Sequence, residues 1–262
     1  MTLDTDLALA KRLADAAGAA IRPFFRAPFV HETKADASPV TEADRAAEEA
    51  MRRILNAEYP RDGIIGEEFG AERPGAARQW VLDPIDGTTS FMAGRATFGT
   101  LIALLVDGWP VLGVIDQPML RERWVGAVGE GAWFNGKRIT TRTCPELAQA
   151  TLATTGPNNF TPQEGDHFMA LAKATAHKRL IFGGDCYNYG LVASGHIDLV
   201  CEAGLKLHDF AALVPVVEGA GGLMCDWNGD PLSAASAETG GGHVLALGDP
   251  ARLEDVLQAL AG

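Results

Sequence analysis

The sequence predicts a mixed fold, in which an α+β part is followed by an α/β part, on three observations. Apolar residues recur at helical spacing over residues 4–26 and again over 41–58. Between residues 97 and 139, short apolar runs broken by turn signals such as Asn135-Gly136 indicate an antiparallel meander. Beyond Pro145, strand-like and helix-like segments alternate, which is typical of an α/β arrangement.

The elements before the meander have recognisable ends. The first helix ends at Arg26-Ala27-Pro28, and the stretch 28–40 is mixed and rich in turn residues. A second helix begins at Thr41 and runs to about Glu58, because Pro60 cannot continue it. Strand-like pieces follow near 63–66 and 80–83.

The part after the meander alternates regularly. The expected elements are a helix at 163–178, a strand at 180–184, a helix at 186–195, a strand at 197–201, a helix at 209–219, a strand at 222–226 and a helix at 250–260. A boundary near 141–150 separates an N-terminal part, 1–143, from a C-terminal part, 144–262.

Composition excludes several classes of protein. With 262 residues, 47% hydrophobic and 21% charged, the chain can bury a large core as one domain or as two closely packed lobes. A net charge of −12 argues against nonspecific nucleic-acid binding, and no apolar run approaches the roughly 20 residues that span a bilayer. The acidic N-terminus is the reverse of a signal peptide, and four cysteines without paired spacing favour reduced thiols in a cytoplasmic protein.

The most informative segment is 80–94. Two carboxylates, Asp83 and Asp86, follow an apolar run, with Pro84 between them and Gly87 directly after. The next residues, Thr88-Thr89-Ser90, favour the start of a helical turn. Carboxylates bind Mg²⁺, and the free N–H groups at a helix start bind phosphate, so this segment predicts a phosphate-ester site.

Two further motifs accompany it. Gly66-Glu67-Glu68 follows the apolar segment Gly63-Ile64-Ile65, and Asp209 precedes a run ending in Glu218-Gly219-Ala220-Gly221-Gly222. Together the three motifs resemble those of the inositol monophosphatase family: G-E-E, then D-P-[IL]-D-G-[ST]-[TS], then D-x-A-[AG] with E-x-[AG]-G-G. The resemblance covers nearly all of the chain and implies a layered α-β-α-β-α sandwich of the sugar-phosphatase type.

The resemblance also implies the roles of individual residues. Two to three Mg²⁺ ions would be held by Glu67, Asp83, the carbonyl of Ile85, Asp86 and Asp209. The attacking water would be oriented by Glu67 and Thr88, with Asp44 behind Thr88. The phosphate and the rest of the substrate would contact Asp86, Gly87, Thr88, Thr89, Glu202 and Asp209. Independently of the resemblance, Asp185 is expected to contact the substrate because it follows a predicted strand. Direct attack by water on a phosphate monoester needs no phosphoenzyme.

Several of these residues also have ordinary structural interpretations. Thr41 and Asp44 fit a capping box, and Asp209 fits a helix N-cap. Glu68 and Glu202 could be solvated surface residues. Pro215 should kink the helix after Asp209 or end its first segment.

The leaving group is the least constrained prediction. The run Glu202-Ala203-Gly204-Leu205-Lys206 and the proline-containing helix around Pro215 resemble the histidinol-phosphatase branch, and His208 stands where inositol-specific members tend to carry Trp. Histidinol phosphate, an intermediate of histidine biosynthesis, bears an ammonium and an imidazole that Asp185 and Glu202 could pair with. The alternatives are an inositol or broader sugar monophosphatase, a nucleotide or sulfonucleotide 3′-phosphatase, a fructose bisphosphatase, and a non-catalytic regulatory relative. The resemblance implies a homodimer, which exposed apolar meander strands would suit.

Overall fold

The structure is a computed structural model that describes residues 3–27, 31–33, 39–176 and 178–262, with the backbone alone for 31–33 and 39–41. The helices are α1 (Leu3–Ile21), α2 (Glu42–Glu58), α3 (Thr88–Met92), α4 (Pro162–Ala174), α5 (Cys186–Ala193), α6 (Leu207–Phe210), α7 (Leu213–Gly219), α8 (Ala234–Thr239) and α9 (Leu253–Ala261). The strands are β1 (His31–Thr33), β2 (Pro39–Thr41), β3 (Gly63–Gly66), β4 (Gly70–Glu72), β5 (Arg78–Asp86), β6 (Gly99–Val106), β7 (Trp109–Gln117), β8 (Glu122–Ala127), β9 (Gly131–Phe134), β10 (Lys137–Ile139), β11 (Leu152–Thr154), β12 (Leu180–Phe182), β13 (Leu199–Glu202), β14 (Leu223–Cys225) and β15 (Val244–Leu247).

The larger sheet has the strand order β10-β9-β8-β7-β6-β5-β3-β4. Its strands from β5 to β10 pair antiparallel with their neighbours in chain order, so the predicted meander is confirmed. The pairing of β3 with β5 is parallel, and their carboxyl ends therefore lie at the same edge of the sheet. That edge receives both the Gly66-Glu67-Glu68 motif and the Asp83–Asp86 segment.

The smaller sheet has the order β12-β11-β13-β15-β14. Strand β11 pairs parallel with β12 and β13, as an α/β arrangement predicts, whereas β15 is antiparallel to both of its neighbours. The sequence analysis missed β11, β15 and helix α8, because each is short and carries little periodicity.

Buried apolar side chains of the described residues form three clusters that define the layers. In the first, α1 and α2 pack through Leu13 and Met51 on one face of the larger sheet. In the second, α5 and α7 lie between the two sheets, with Tyr189 and Val216 buried there. In the third, α4 and α9 cover the outer face of the smaller sheet. The molecule is thus the predicted α-β-α-β-α sandwich.

Helix α7 approaches the larger sheet closely because two glycines leave room for it. Gly113 on β7 and Gly126 on β8 are cross-strand partners. A Cβ at Gly113 would lie 1.9 Å from the carbonyl oxygen of Ala212, and one at Gly126 would lie 2.1 Å from that of Pro215. The pair therefore sets the position of the α6–α7 segment, which carries Asp209.

Several predicted element boundaries shift. Helix α1 ends at Ile21 and is followed by turns, and α2 begins at Glu42; the side chain of the predicted cap Thr41 lies outside the described part. The single helix expected at 209–219 is divided into α6 and α7 at Ala211 and Ala212. Pro215 consequently stands in the first turn of α7, where its missing N–H would have no partner within the helix.

Among the residues that the structure describes, no helix combines the length and the apolar character that crossing a bilayer requires.

Candidate active site

The carboxylates of Asp83, Asp86 and Asp209 come together at the edge where β5 ends. One oxygen of each lies within 4.8 Å of the others. We expected a strand ending near Asp83 and a turn around Pro84, but β5 continues to Asp86. Asp83 pairs with Leu101 and Asp86 with Gly99, so β5 carries one extra residue in a bulge. In a regular strand, residues three apart point to opposite faces, and the bulge brings both aspartates into one site.

The cluster concentrates negative charge where solvent has limited access, since Asp83 is buried and Asp86 and Asp209 are half-buried. Burial raises the pKa of Asp83 well above its usual range, and the charges of Glu67, Asp86, Asp209 and Asp44 raise it further. Burial likewise raises the pKa of Asp86 well above the usual value, with Asp185 the largest charge contribution. The pKa of Asp209 is also raised by burial, while nearby His208 acts in the opposite direction. Such a cluster binds a cation readily because the cation offsets the repulsion.

The donor set fits a hard divalent cation. Oδ1 of Asp83 is buried and accepts a hydrogen bond from no described residue. Backbone N–H groups orient the other two aspartates. Oδ2 of Asp86 accepts from the N–H of Cys186 at 2.7 Å, and Oδ2 of Asp209 accepts from the N–H of Lys206 at 2.6 Å. Oxygen-only ligands on rigid backbone are what Mg²⁺ requires.

Glu67 follows β3 and lies near the cluster, although the three carboxylates within 4.8 Å of one another do not include it. Its N–H donates to the carbonyl of Leu82 at 3.1 Å, which ties the residue after β3 to β5 just before Asp83. Its charge also contributes to the raised pKa values of Asp83 and Asp209. Glu68 differs, since its carboxylate is buried and lies 3.9 Å from the guanidinium of Arg45.

Asp44 and Thr88 lie on separate elements beside the same carboxylates. Asp44 is a buried residue of α2, and its charge contributes to the raised pKa of Asp83. Thr88 is the first residue of α3, and its hydroxyl donates to the carbonyl of Ile85 at 3.1 Å. That carbonyl has a second lone pair and can still serve as a ligand. The proposed link between Thr88 and Asp44 stays a prediction.

The turn formed by Asp86-Gly87-Thr88, called the D-G-T turn below, packs against Asp185 of the C-terminal part. Gly87 adopts a left-handed conformation, with φ of 84°, ahead of Thr88 and Thr89. A Cβ there would lie 2.7 Å from Oδ2 of Asp185, the same oxygen that accepts from the hydroxyl of Ser90 at 2.9 Å. Asp185 itself has φ of 45°, which is uncommon for a residue other than glycine. Burial raises its pKa, and both the Ser90 hydrogen bond and the charge of Arg95 act against that rise.

A cavity of about 300 Å³ opens beside the cluster. It is lined by Asp86, Asn159, Asp185, Cys186, Tyr189, Glu202, Ala203, Gly204, Leu205, Asp209 and Leu213. The two residues predicted to contact the leaving group, Asp185 and Glu202, therefore line the same cavity as two of the clustered aspartates. It also corrects the alternative in which Glu202 is solvated, since this side chain is 4% exposed.

Glu202 is held by a network that sequence reasoning missed. Its Oε1 accepts from the N–H and the hydroxyl of Thr155 at 2.8 and 2.6 Å, and its Oε2 accepts from the hydroxyl of Tyr189 at 3.0 Å. Burial raises the pKa of Glu202 to about 7 even though these hydrogen bonds favour the charged form. Asn159 was also missed; the turn signal Gly156-Pro157-Asn158-Asn159 after a short apolar run could have indicated it.

The thiol of Cys186 lines the cavity but is a poor nucleophile. Burial raises its pKa well above the usual value, and the charge of Asp86 raises it further. The other three cysteines are also buried and free.

Comparison with known proteins assigns the family. The sequence pattern of the inositol monophosphatase family matches residues 2–258. The chain belongs to the inositol monophosphatase family. Members of this family are metal-dependent phosphatases, typically with Mg²⁺, and act on phosphorylated small molecules. The three motifs and the sandwich fold are therefore those of an established class of hydrolase.

The chain is similar to several individual members of the family. It is 47% identical to the bifunctional phosphatase IMPL2 of Arabidopsis thaliana, over 98% of this chain and 75% of that protein. It is 37% identical to the histidinol-phosphatase of Chlorobaculum parvum, over 94% and 98% of the two chains. Among solved structures, an inositol monophosphatase from Zymomonas mobilis is 54% identical with a TM-score of 0.90, and the match covers 100% of both chains.

Proposed function

We propose that the protein is a Mg²⁺-dependent histidinol-phosphate phosphatase, which converts L-histidinol phosphate and water to L-histidinol and phosphate in histidine biosynthesis. The observation that carries this proposal is a pair of carboxylates, the half-buried Asp185 and the buried Glu202, on the wall of the cavity next to the three-aspartate cluster. A leaving group with two basic nitrogen groups matches that wall, whereas inositol offers only hydroxyls. The similarity to a histidinol-phosphatase at 37% identity supports the same substrate.

The residues proposed to hold the metal are Asp83, Asp86, Asp209, Glu67 and the carbonyl of Ile85. When bound there, Mg²⁺ lowers the pKa of a coordinated water and neutralises charge on the phosphate and the leaving oxygen. Two to three ions would complete the site.

The reaction needs a positioned water and a held phosphate. We assign Glu67 and Thr88 to orient the water, with Asp44 behind Thr88. In the structure the single hydroxyl proton of Thr88 is donated to the carbonyl of Ile85, so the proposed pairing with Asp44 would replace that hydrogen bond. The N–H groups of Gly87, Thr88 and Thr89 face the phosphate in this proposal. No covalent intermediate is required, and the raised pKa of Cys186 disfavours one at this thiol.

Both cavity carboxylates retain capacity for the substrate. A carboxylate offers about four acceptor positions. Oδ2 of Asp185 accepts from Ser90, and the two oxygens of Glu202 accept from Thr155 and Tyr189. The remaining positions suit charge-assisted hydrogen bonds from the ammonium and the imidazole of histidinol phosphate. Burial strengthens such bonds because water competes less for the same groups.

An inositol or broader sugar monophosphatase is the second candidate. The specific observation in its favour is the 54% identity to the Zymomonas mobilis inositol monophosphatase over the whole of both chains. The metal site would be the same, and the difference would lie in the residues that contact the leaving group.

The deciding experiment measures phosphate release from matched concentrations of L-histidinol phosphate and inositol 1-phosphate, each with Mg²⁺ and with chelator. A strong preference for histidinol phosphate that requires Mg²⁺ is the expected result. Preference for inositol phosphate would retain the metal site and overturn the substrate. Hydrolysis of neither would contradict both candidates.

We further propose a cytoplasmic homodimer. The exposed apolar side chains of the meander, including Trp109 and Val128 at 52% and 57% exposed, support an interface between copies. The four buried free thiols suit a reducing compartment. Light scattering of the purified protein should give twice the mass of the 27.7 kDa chain; the mass of a single chain would contradict the dimer.

A further inference from the structure

Glu48 is a fully buried carboxylate of α2 that has no part in the chemistry described above. It lies one helical turn after Asp44, on the same face of the helix. Its Oε2 accepts from the N–H of Glu68 at 2.7 Å, and its Oε1 accepts from the N–H of Phe69 at 3.2 Å. The two residues directly after Glu67 are therefore anchored to one side chain.

The turn between β3 and β4 is shaped around this carboxylate. A Cβ on Gly66, the residue before Glu67, would lie 1.9 Å from Oε1 of Glu48 and 2.7 Å from Nη2 of Arg52. The contact with Glu48 thus explains why the Gly66-Glu67-Glu68 motif begins with glycine, since any side chain at this position would displace Glu48.

Arg52 balances the charge of Glu48 and holds the far end of the same turn. Its Nε donates to Oε1 of Glu48 at 2.7 Å, its Nη1 donates to Oε1 of Glu72 at 2.7 Å, and its Nη2 donates to the carbonyl of Gly70. The side chains of Arg52 and Glu48 are 8% and 0% exposed. Removing one partner of a buried ion pair leaves the other charge without compensation, so Glu48 and Arg52 hold each other in place.

Glu67 needs such a support because its neighbours repel it. Its negative charge raises the pKa of Asp83 and of Asp209, so the charged forms of these carboxylates repel that of Glu67. On one side its own N–H is bonded to Leu82 of β5, and on the other the next two N–H groups are bonded to Glu48. Without Glu48, that second side would be free to move away from the cluster.

We propose that Glu48 is a positioning residue that holds the Glu67 turn in place for Mg²⁺ binding, an inference that rests on the proposed metal-dependent function. Residues that do not bind the metal but orient its ligands through hydrogen bonds typically contribute about 10-fold to 100-fold to metal affinity. Replacing Glu48 should therefore weaken the response to Mg²⁺ rather than the affinity for the phosphate ester.

The test compares Glu48→Gln with Glu72→Gln. Glutamine preserves the size of Glu48 but removes its charge and replaces one acceptor oxygen with a donor NH₂ group. Glu72→Gln changes the partner of the same arginine at the outer end of the network, without touching the N–H groups of Glu68 and Phe69. Each protein is first treated with chelator and then titrated with Mg²⁺. The Mg²⁺ midpoint is the concentration that gives half of the maximal increase in melting temperature. A second titration measures the Mg²⁺ concentration that gives half of the maximal rate of phosphate release.

The Mg²⁺ midpoint of Glu48→Gln should be raised by about 10-fold or more. The KM of this variant for the ester at saturating Mg²⁺ should be unchanged. The Mg²⁺ midpoint of Glu72→Gln should be close to that of the wild type. A Glu48→Gln protein with a lower melting temperature in chelator but an unchanged Mg²⁺ midpoint would overturn the proposal, because it would show a purely structural role. Absence of any Mg²⁺ response in the wild type would instead overturn the metal-dependent function, and this assignment with it.

Gly66→Ala tests the same contact from the turn and serves if Glu48→Gln does not fold. It keeps the carboxylate but displaces it, so the Mg²⁺ midpoint should rise as in Glu48→Gln. Because the residues act through one contact, the double variant should be little worse than either single variant. Multiplicative effects of the two changes on the midpoint would contradict a shared contact.

Discussion

The N–H of Cys186 donates a hydrogen bond to Oδ2 of Asp86 at 2.7 Å, across 100 positions of the sequence. It joins the first residue of α5 to the last residue of β5, and Ser90 and Asp185 make a second link of the same kind beside it. The segment of the N-terminal part that we propose to bind metal is therefore oriented by the C-terminal part. The candidate site exists only when the two parts are packed together.

Asp83→Asn should abolish turnover while the chain still folds. Asp83 is a proposed metal ligand, so the loss of kcat should exceed the roughly 100-fold that outer residues of metal sites can contribute. Because burial and neighbouring charges already disfavour its ionised form, the metal-free variant should melt at or above the wild-type temperature. Phosphate release and thermal melting in chelator measure the two effects. Asp166→Asn, at an exposed position of α4, is the control and should change neither; full activity in Asp83→Asn would refute the assignment of this ligand.

The metal-free protein should lose stability as the pH rises from about 5 to about 8. Burial raises the pKa of Asp83, Asp86, Asp185 and Asp209 in the folded state, and that of Glu202 to about 7, whereas in the unfolded chain such groups titrate near 4. At a pH between the unfolded-state and the folded-state pKa of such a group, the folded protein binds more protons than the unfolded chain. The free energy of unfolding therefore falls with increasing pH. The stabilising contribution is complete below the unfolded pKa and is lost as the pH passes through the folded one.

Mg²⁺ should reverse this trend, because it binds the ionised carboxylates. The gain in melting temperature on adding Mg²⁺ should therefore increase with pH. Melting curves in chelator and in Mg²⁺ across the range provide the measurement. Glu202→Gln, which removes one titrating group, should flatten the chelator curve near pH 7. A chelator curve that rises across the range would mean that the site carboxylates do not dominate.

Gly87→Ala should inactivate the enzyme through contact as well as strain. The left-handed backbone at Gly87 makes alanine unfavourable by about 1–2 kcal/mol. Its Cβ would also meet Oδ2 of Asp185 at 2.7 Å. Gly129 has a similar φ of 80° with no atom within 4 Å of its Cβ position, so Gly129→Ala isolates the backbone effect. Denaturant unfolding should show the backbone cost in both variants and a further loss in Gly87→Ala from the contact with Asp185, while kcat should fall only in Gly87→Ala. Equal kcat values would contradict a tight packing requirement at the D-G-T turn.

Asp185→Asn should discriminate between the two candidate substrates. Asparagine tolerates the positive φ of this position and preserves the shape of the side chain, so the change is mainly one of charge. A hydrogen bond to a charged group contributes about 1.5–3 kcal/mol, and KM for histidinol phosphate should rise by about 10-fold or more, with a smaller effect on inositol 1-phosphate. Ser90→Ala is the matched control, because it removes a hydrogen bond to Asp185 but leaves the charge. Equal losses with both substrates would argue that Asp185 organises the D-G-T turn and does not read the leaving group.

Much of the architecture was predictable because it follows from local patterns. The periodicity of α1 and α2 and the regular turn signals of the meander are local, and the structure confirms them. Strands as short as β11 and β15 were missed because they form by pairing, β11 with β12 and β13, and β15 with β13 and β14. Their pairing partners lie far away in the sequence, where no periodicity reports them.

The candidate site divides in the same way. The motifs identified Asp83, Asp86 and Asp209 as candidates, but the bulge in β5 that turns the first two to one side was not visible in the sequence. Glu202 was selected for its spacing from Asp209. Its bond to Thr155 arises from the pairing of β13 with β11, and its bond to Tyr189 from the packing of β13 against α5. Glu48 attracted no attention, because one more glutamate on an amphipathic helix looks like a solvated residue.

Residue order alone was thus sufficient for α1, α2, the meander, the motifs and the class of chemistry, since each depends on spacing over a few residues. Which carboxylates meet, how deeply they are buried and how far their pKa values move were determined by the folded arrangement. The links from Asp86 to Cys186 and from Ser90 to Asp185 illustrate the physical reason. Distances between residues about a hundred positions apart depend on strand order and layer packing, and electrostatic interactions in a buried site follow those distances.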